Sequence, residues 1–250
     1  MPIDALILAG AAAGPEMSPD DERLSRAMIR IGPKTMIQWI VDALRRAESI
    51  GRIIAVGDVA AEGLDEVIPP SGHYIENLMR GVEACGEAER ILVLTSDIPL
   101  ISPEAIDDFV GRSIASGGEM CYPFVARDAC LVKYPKMKRT YLRTKEGMFT
   151  GGNMMVLSPA FIRRNEARIS RSYEARKNPI ALGWMIGPGT LLRLVAAQVL
   201  FPSLLPIPFL AKVMSKRLGG KVVGITSHYP EIGADVDKAS DLEQVRELLA

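Results

Sequence analysis

The sequence predicts an α/β fold: a Rossmann-like, mixed but mainly parallel sheet flanked by helices. Two observations carry this expectation. Short apolar runs at residues 3–9, 53–56 and 91–95 each stop at turn-forming residues, the habit of strands covered on both faces. Between them lie stretches whose apolar residues recur at helical spacing. Strands alternating with helices in this way imply βαβ units and a parallel sheet.

Each element has its own signal. Residues 3–9 (I-D-A-L-I-L-A) form a strand that ends at Gly10. Met36, Ile37, Ile40, Val41 and Leu44 mark the first helix, and the strand at 53–56 closes at Gly57-Asp58. Ile75, Leu78, Met79 and Val82 mark the next helix, followed by the third apolar strand, I-L-V-L-T, at 91–95. A further helix has Ser102 as N-cap, Pro103 at its first position and a stripe of Ile106, Phe109, Val110 and Ile114. The last helix shows a capping box, Ser240 with Glu243, ahead of Leu242, Val245, Leu248 and Leu249. No repeat or linker divides the chain, so 1–250 is expected to be one domain, with 133–221 its less regular part.

Composition narrows the function classes. Lys plus Arg and Asp plus Glu both number 30, so there is no global field to hold nucleic acid or an anionic membrane, and no nucleic-acid partner is expected. Cys85, Cys121 and Cys130 lack C-x-x-C spacing, which excludes a four-thiolate zinc site. With no signal core at the N-terminus, a reducing cytoplasm is the expected location. Residues 191–213 are unusually apolar, but Arg193, Gln198, Pro202, Pro206, Pro208 and Lys212 interrupt them, so no transmembrane helix is expected. Residues 191–218 are read as two helices joined by a proline-rich turn. They are either packed inward or presented as a hydrophobic partner or lipid surface.

Two strand ends carry the candidate chemistry. After the first strand, Gly10-Ala11-Ala12-Ala13-Gly14 is a loop of small residues, where backbone N–H groups can approach phosphate oxygens. It matches neither the dinucleotide nor the P-loop fingerprint. After the third, Thr95-Ser96-Asp97-Ile98-Pro99-Leu100 sets a carboxylate at the carboxyl edge of the sheet, the edge that holds ligands where strand order reverses. If the two strands are neighbours, Gly10 and Asp97 face one crevice, and Asp97 is a candidate Mg²⁺ ligand. Near the C-terminus, Asp235 and Asp237 alternate faces in an extended chain, so one of them is expected to reach a shared metal. Asp241 reads as a first-turn helix charge. His73 and His228 are far apart and lack metal spacing, and no G-x-S-x-G elbow occurs. Lys136, Lys138, Arg139 and Arg143, with Arg176 and Lys177, form either a solvated face or a clamp for a phosphorylated acceptor.

These motifs together resemble the nucleotidyltransferases of the molybdenum-cofactor guanylyltransferase type, relatives of sugar-phosphate and methylerythritol-phosphate nucleotidyltransferases. L-I-L-A-G resembles the family's opening strand and turn. Ile31-Gly32-Pro33-Lys34-Thr35-Met36-Ile37 is similar to its G-G-K-P-M-I segment, and Ile75-Glu76-Asn77-Leu78 to the start of its third helix. Ser96-Asp97-Ile98-Pro99-Leu100 resembles C-D-M-P-L, Phe149-Thr150-Gly151-Gly152-Asn153 the T-G-G segment, and 235–242 the closing D-I-D-T-P-E-D-L.

The resemblance implies a nucleotide-diphospho-sugar transferase (GT-A-like) fold, with 1–132 as the nucleotide-binding half and 133–250 as the acceptor-side half. It implies nucleotide contacts from Leu8, Ala9, Gly10, Ala11, Gly14 and Asn77, and acceptor contacts from Gly151, Gly152 and Asn153. It further implies catalytic roles for Asp97, Lys34 and Arg26, and Mg²⁺ held by Asp97 with Asp235 or Asp237. The expected ligands are a nucleoside triphosphate and a small-molecule acceptor. The expected reaction moves a nucleoside monophosphate to a phosphate or hydroxyl, releasing pyrophosphate. The chain departs from the family's G-G-x-G-x-R-M loop at Gly10–Met17, and Arg26 stands where a lysine is usual. A divergent non-catalytic nucleotide-binding protein is therefore the alternative, with a nucleotide-sugar glycosyltransferase, for which Asp235-Val236-Asp237 would supply D-x-D, ranked below it.

Overall fold

In the computed structural model, which describes residues 1–18, 20–21, 23–175 and 187–249, the first strand β1 (Ile3–Leu8) is the spine of the sheet. Its side chains alternate between two hydrophobic clusters. Ala5 and Ile7 join Ile37, Ile40, Leu44, Ile106 and Phe109, whereas Leu6 and Leu8 join Leu78, Val82, Phe161 and Ile162. A strand buried on both faces has no room for polar residues, which is why 3–9 is a near-continuous apolar run.

A short hairpin of β2 (Arg30–Ile31) and β3 (Lys34–Thr35) leads into α1 (Met36–Arg46), capped by Thr35, whose Oγ1 accepts from the Gln38 N–H. β4 (Ile50–Val56), β5 (Glu66–Ile68), α2 (Tyr74–Ala84), β6 (Ile91–Thr95) and α3 (Pro103–Ser116) follow. The Ser102 hydroxyl accepts from the Ala105 N–H at 3.3 Å, so the expected cap is present. Ile114 is 45% exposed and falls off the expected inward stripe of α3.

The second half adds β7 (Met120–Ala126), α4 (Arg127–Lys133), β8 (Leu142–Thr144), β9 (Gly147–Gly151), β10 (Met154–Leu157) and α5 (Pro159–Ala175). Beyond 176–186 come α6 (Pro188–Val199), α7 (Ile207–Leu218), β11 (Val222–Ser227) and α8 (Ala239–Leu248). The two helices expected at 191–218 are thus α6 and α7. Among the described residues no helix is long and apolar enough to cross a membrane.

At α8 the structure corrects the capping box. The helix begins at Ala239 with Lys238 as N-cap, and no side chain caps it from outside. Ser240 therefore lies inside the first turn. Asp241 Oδ2 accepts from the Asp237 N–H at 3.3 Å instead, a bond that ties the helix start to the segment before it. Leu248 is 52% exposed and falls off the expected stripe, whereas Leu242, Val245 and Leu249 face the core.

The nine-stranded sheet runs β5-β4-β1-β6-β10-β7-β9-β8, with β11 also paired to β7. β1 pairs in parallel with β4 on one side and with β6 on the other. β10 is antiparallel to β6 and to β7, β9 is antiparallel to β7 and to β8, and β11 runs parallel to β7. The antiparallel insertion of β9 and β10 makes the sheet mixed, while the other strands share one direction. Strand order reverses between β1 and β6, so their carboxyl ends open a crevice there.

Candidate active site

β1 and β6 are in register with Leu8 beside Thr95. Two residues beyond each partner lie Gly10 and Asp97, and both line a cavity of about 440 Å³ with Leu8, Ala11, Arg26 and Asn77. Ala9 is fully buried, and its carbonyl accepts from the Ser25 hydroxyl at 2.9 Å. Gly14, at φ 75°, turns the chain away and does not line the cavity.

Asn77 is 6% exposed, and its Oδ1 accepts from the Ser71 N–H at 2.7 Å and the Ser71 hydroxyl at 2.9 Å. Its Nδ2 lies so close to Gly10 that a Cβ there would come within 2.9 Å of it. A side chain at position 10 would therefore displace the Asn77 amide from its place beside the loop. Tyr74 and Tyr173 line the same cavity and stack with ring centroids 4.5 Å apart, interplanar 5°. His73 is exposed at the start of α2, consistent with a solvated loop histidine.

Asp97 is the polar centre. Its side chain is 17% exposed; Oδ1 accepts from the Thr95 hydroxyl at 2.5 Å, and Oδ2 lies 3.4 Å from Arg26 Nη1. Burial pushes its carboxyl above the usual value, against the Thr95 bond and Arg26, and the charge of Asp237 pushes the same way. Arg26 Nη1 also reaches Asp237 Oδ1 at 3.3 Å and the Val236 carbonyl at 3.4 Å.

The segment carrying Asp235 and Asp237 is fastened here from several sides. The Val236 N–H donates to the Asp97 carbonyl at 2.8 Å, and Val236 packs with Ile29, Ile31, Met36, Tyr134 and Leu242. Ahead of it, the buried Glu231 accepts from Ser102 at 2.7 Å and from Lys133 at 3.0 Å. Asp235 faces Arg139, Oδ1 to Nη2 at 3.4 Å, and the same Nη2 donates to the Asp235 carbonyl.

Both aspartates lie close to the centre, Asp237 through Arg26 and Asp235 through Arg139. Burial lifts the Asp235 carboxyl to about 7 in spite of Arg139, and both Asp237 and Asp97 push it in the same direction. A 3-10 turn (Pro230–Gly233) precedes the pair and α8 follows it. Among the described residues no three His, Cys, Asp or Glu side chains already stand in metal-binding geometry, and Arg26 lies between Asp97 and Asp237.

The structure does not bring the other candidates into the cavity. Lys34 Nζ lies 2.5 Å from Asp42 Oδ2 and 4.7 Å from the Trp39 ring centroid, in a separate open cleft with Arg30, Thr35 and Gln38. Lys34 follows the β2–β3 hairpin onto the α1 face, away from Gly10. Gly151, Gly152 and Asn153 sit behind the Asp97 turn, where Asn153 O accepts from the Thr95 N–H at 3.0 Å. A Cβ on Gly152 would come within 2.5 Å of Ile232 and 2.7 Å of Pro123, so close packing explains that glycine. Of the basic residues singled out, Arg139 reaches the cluster, whereas Lys136 pairs with Glu247 and Arg143 with Gln198. Arg176 and Lys177 lie outside the described residues. Tyr173 and Glu231 carried no local signal, since each acts through partners distant in sequence.

A small-residue loop and a carboxylate thus face each other across a ligand crevice at a strand-order reversal of an α/β sheet. The MobA-like NTP transferase domain profile matches residues 5–177, and the chain belongs to that family. Among solved structures, a hypothetical transferase from Thermus thermophilus is 30% identical, with 97% of this chain and 100% of that one covered and a TM-score of 0.84.

The fold is shared more distantly with 2-C-methyl-D-erythritol 4-phosphate cytidylyltransferase, also from Thermus thermophilus, at 16% identity, TM-score 0.57 and coverage of 100% and 99%. A CMP:2-keto-3-deoxy-manno-octonic acid synthetase complexed with CTP gives 13% and 0.59, with coverage of 99% and 98%. Among curated proteins, the bifunctional protein GlmU of Desulfitobacterium hafniense is 27% identical over 121 residues, 44% of this chain and 25% of GlmU. That match spans only a quarter of the relative.

Proposed function

We propose that the protein transfers a nucleoside monophosphate from a nucleoside triphosphate to a phosphorylated or hydroxyl acceptor, releasing pyrophosphate. The observation that carries this is the meeting of Gly10, Asn77, Arg26 and Asp97 around one cavity at the β1–β6 reversal. In this reading residues 1–132 bind the nucleotide and 133–250 supply the acceptor side. The Gly10–Ala11 backbone approaches the phosphates, and the base lies toward Tyr74, with Tyr173 reaching it from the second half. An acceptor phosphate oxygen, or a hydroxyl oxygen whose proton passes to solvent, attacks the α-phosphorus in line; the new P–O bond forms as the bond to the bridging oxygen breaks, and that electron pair leaves with pyrophosphate.

Arg26 turns from its long carboxylate contacts to stabilise the leaving pyrophosphate. Its Nε is buried without a partner, as is that of Arg139, and in this reading Arg139 would hold an acceptor phosphate. The three carboxylates offer hard oxygen ligands to a divalent cation once Arg26 moves from between Asp97 and Asp237, and burial with neighbouring negative charge pushes two of them up. Asp97 with Asp235 or Asp237 would hold Mg²⁺, which when bound supplies charge neutralisation at the phosphate oxygens. Positioning and electrostatics provide the acceleration, and no side-chain nucleophile is needed.

The test is pyrophosphate release from each of the four ribonucleoside triphosphates with Mg²⁺, over a panel of sugar phosphates and polyol acceptors. Release that depends on both one triphosphate and one acceptor is expected. Nucleotide binding without release on any acceptor would make the protein a non-catalytic nucleotide binder.

A further inference from the structure

The hairpin of α6 and α7 carries a surface that the cavity does not use. Leu192, Val195 and Val199 stand at i, i+3 and i+7 on one stripe of α6, and they are 72%, 51% and 68% exposed. Leu200 and Phe201, each 62% exposed, extend the stripe past the helix end, and Leu204 continues it. Six of the thirteen exposed large hydrophobic residues described thus fall within thirteen consecutive positions. Such a concentration marks an interaction surface rather than scattered exposure.

The stripe is held outward. Ala197 is buried beneath it, and Gln198 is locked to β8 by Arg143 N–H to Gln198 Oε1 at 2.8 Å and Gln198 Nε2 to Arg143 O at 3.0 Å. Arg193 lies 4.0 Å from the Phe209 ring centroid and donates to the Leu204 carbonyl, joining the two arms.

Charge supplies the second observation. Residues 187–219 contain Arg193, Lys212, Lys216 and Arg217 and no aspartate or glutamate, in a chain whose total charge is zero. Lys212, Lys216 and Arg217 are exposed. Two copies meeting through this hairpin would set four cations against four. An apolar stripe in a segment whose only charges are cations complements an anionic lipid interface, where apolar side chains enter the headgroup–acyl boundary and cations meet lipid phosphates.

We propose that the α6–α7 hairpin docks on the surface of an anionic lipid bilayer. The inference is independent of the nucleotidyl-transfer reading. The test is co-sedimentation of the full chain with vesicles of phosphatidylcholine containing about one third phosphatidylglycerol, against pure phosphatidylcholine, at low and high salt. Binding to the anionic vesicles that weakens with salt is expected. The combined Leu192→Ser, Val199→Ser and Phe201→Ser variant should lose roughly tenfold or more of the partitioning, with an unchanged melting curve because the residues are exposed. A second variant, Lys212→Glu with Lys216→Glu, should lose the preference for anionic vesicles while leaving every apolar residue in place. No vesicle binding by the unaltered protein, or binding by both variants equal to that of the unaltered protein, overturns the proposal. So does a concentration-dependent dimer that the serine variant abolishes, since the stripe would then belong to a second copy.

Discussion

Asp97 shows how a single residue acquires its properties from the strand before it. β6 is buried from Ile91 to Leu94, so the backbone reaching Asp97 is fixed while the side chain emerges at the sheet's edge. Pro99 follows two residues on and limits the turn. Asp97→Asn keeps the shape and removes the charge, so Mg²⁺-dependent turnover should fall by roughly 10²–10³-fold. The melting temperature should hold or rise, because burial disfavours the charge that asparagine removes. Steady-state kinetics paired with thermal melting checks both halves; turnover left intact, or a protein that unfolds, would make Asp97 a structural residue. Arg26 and Lys34 show the opposite lesson. Both are cations near the same sequence region, but the first shares the cavity with Asp97 and the second pairs with Asp42. Nothing local distinguishes them.

At the scale of elements, short polar joints set how the helices meet the sheet. Asp107, on α3, accepts from the Glu48 N–H at 3.1 Å, the Ser49 N–H at 2.9 Å and the Ser49 hydroxyl at 2.5 Å, pinning the α1–β4 connection. Burial raises its carboxyl, but the bonds from Ser49 and Glu48 outweigh this and hold it below the ordinary 3.8. A depressed carboxyl contributes stability above the unfolded value, and the contribution disappears as pH falls from about 3.8 through the lower folded value. Asp107→Asn should therefore cost about 1 kcal/mol at pH 7, with the gap narrowing on acidification below that value. Urea unfolding of the two proteins along a pH series measures it; a gap that stays constant into acid would assign the cost to shape rather than charge. A comparable joint fastens 230–237 through Glu231, Ser102 and Lys133. It carries Asp235 and Asp237 to Asp97 from the far end of the chain.

At the scale of the molecule, the sheet's change of order between β1 and β6 makes one crevice out of residues 87 positions apart, Gly10 and Asp97. A triphosphate bound there with Mg²⁺ stabilises the native state by mass action, by about 2.7 kcal/mol at a hundredfold excess over Kd. For a chain of this length the melting temperature should rise by roughly 5–10 °C, and chelation of the metal should abolish most of the rise. Thermal shift with each triphosphate, before and after chelator, is the measurement. A shift that survives chelation would show that Arg26 and the loop hold the phosphates without a metal.

What the sequence determined by itself was local and periodic. The apolar runs of β1, β4 and β6 need burial on both faces, and the stripes of α1 to α3 need one covered face. Those requirements already dictate an α/β sheet, the strand ends bearing Gly10 and Asp97, and two helices within 191–218. The later strands were not legible: β8 is three residues long, and β9 and β10 enter antiparallel, where neither length nor alternation sets them apart from loop.

Only tertiary structure decided which charges meet. It brought Arg139, Asp235 and Asp237 to Asp97, stacked Tyr173 on Tyr74 and sent Lys34 to another cleft. The physical reason is reach. Helix caps and hydrophobic periodicity act between near neighbours, and a residue's own sequence context records them. An ion pair across 211 residues depends on where the whole sheet places its two ends.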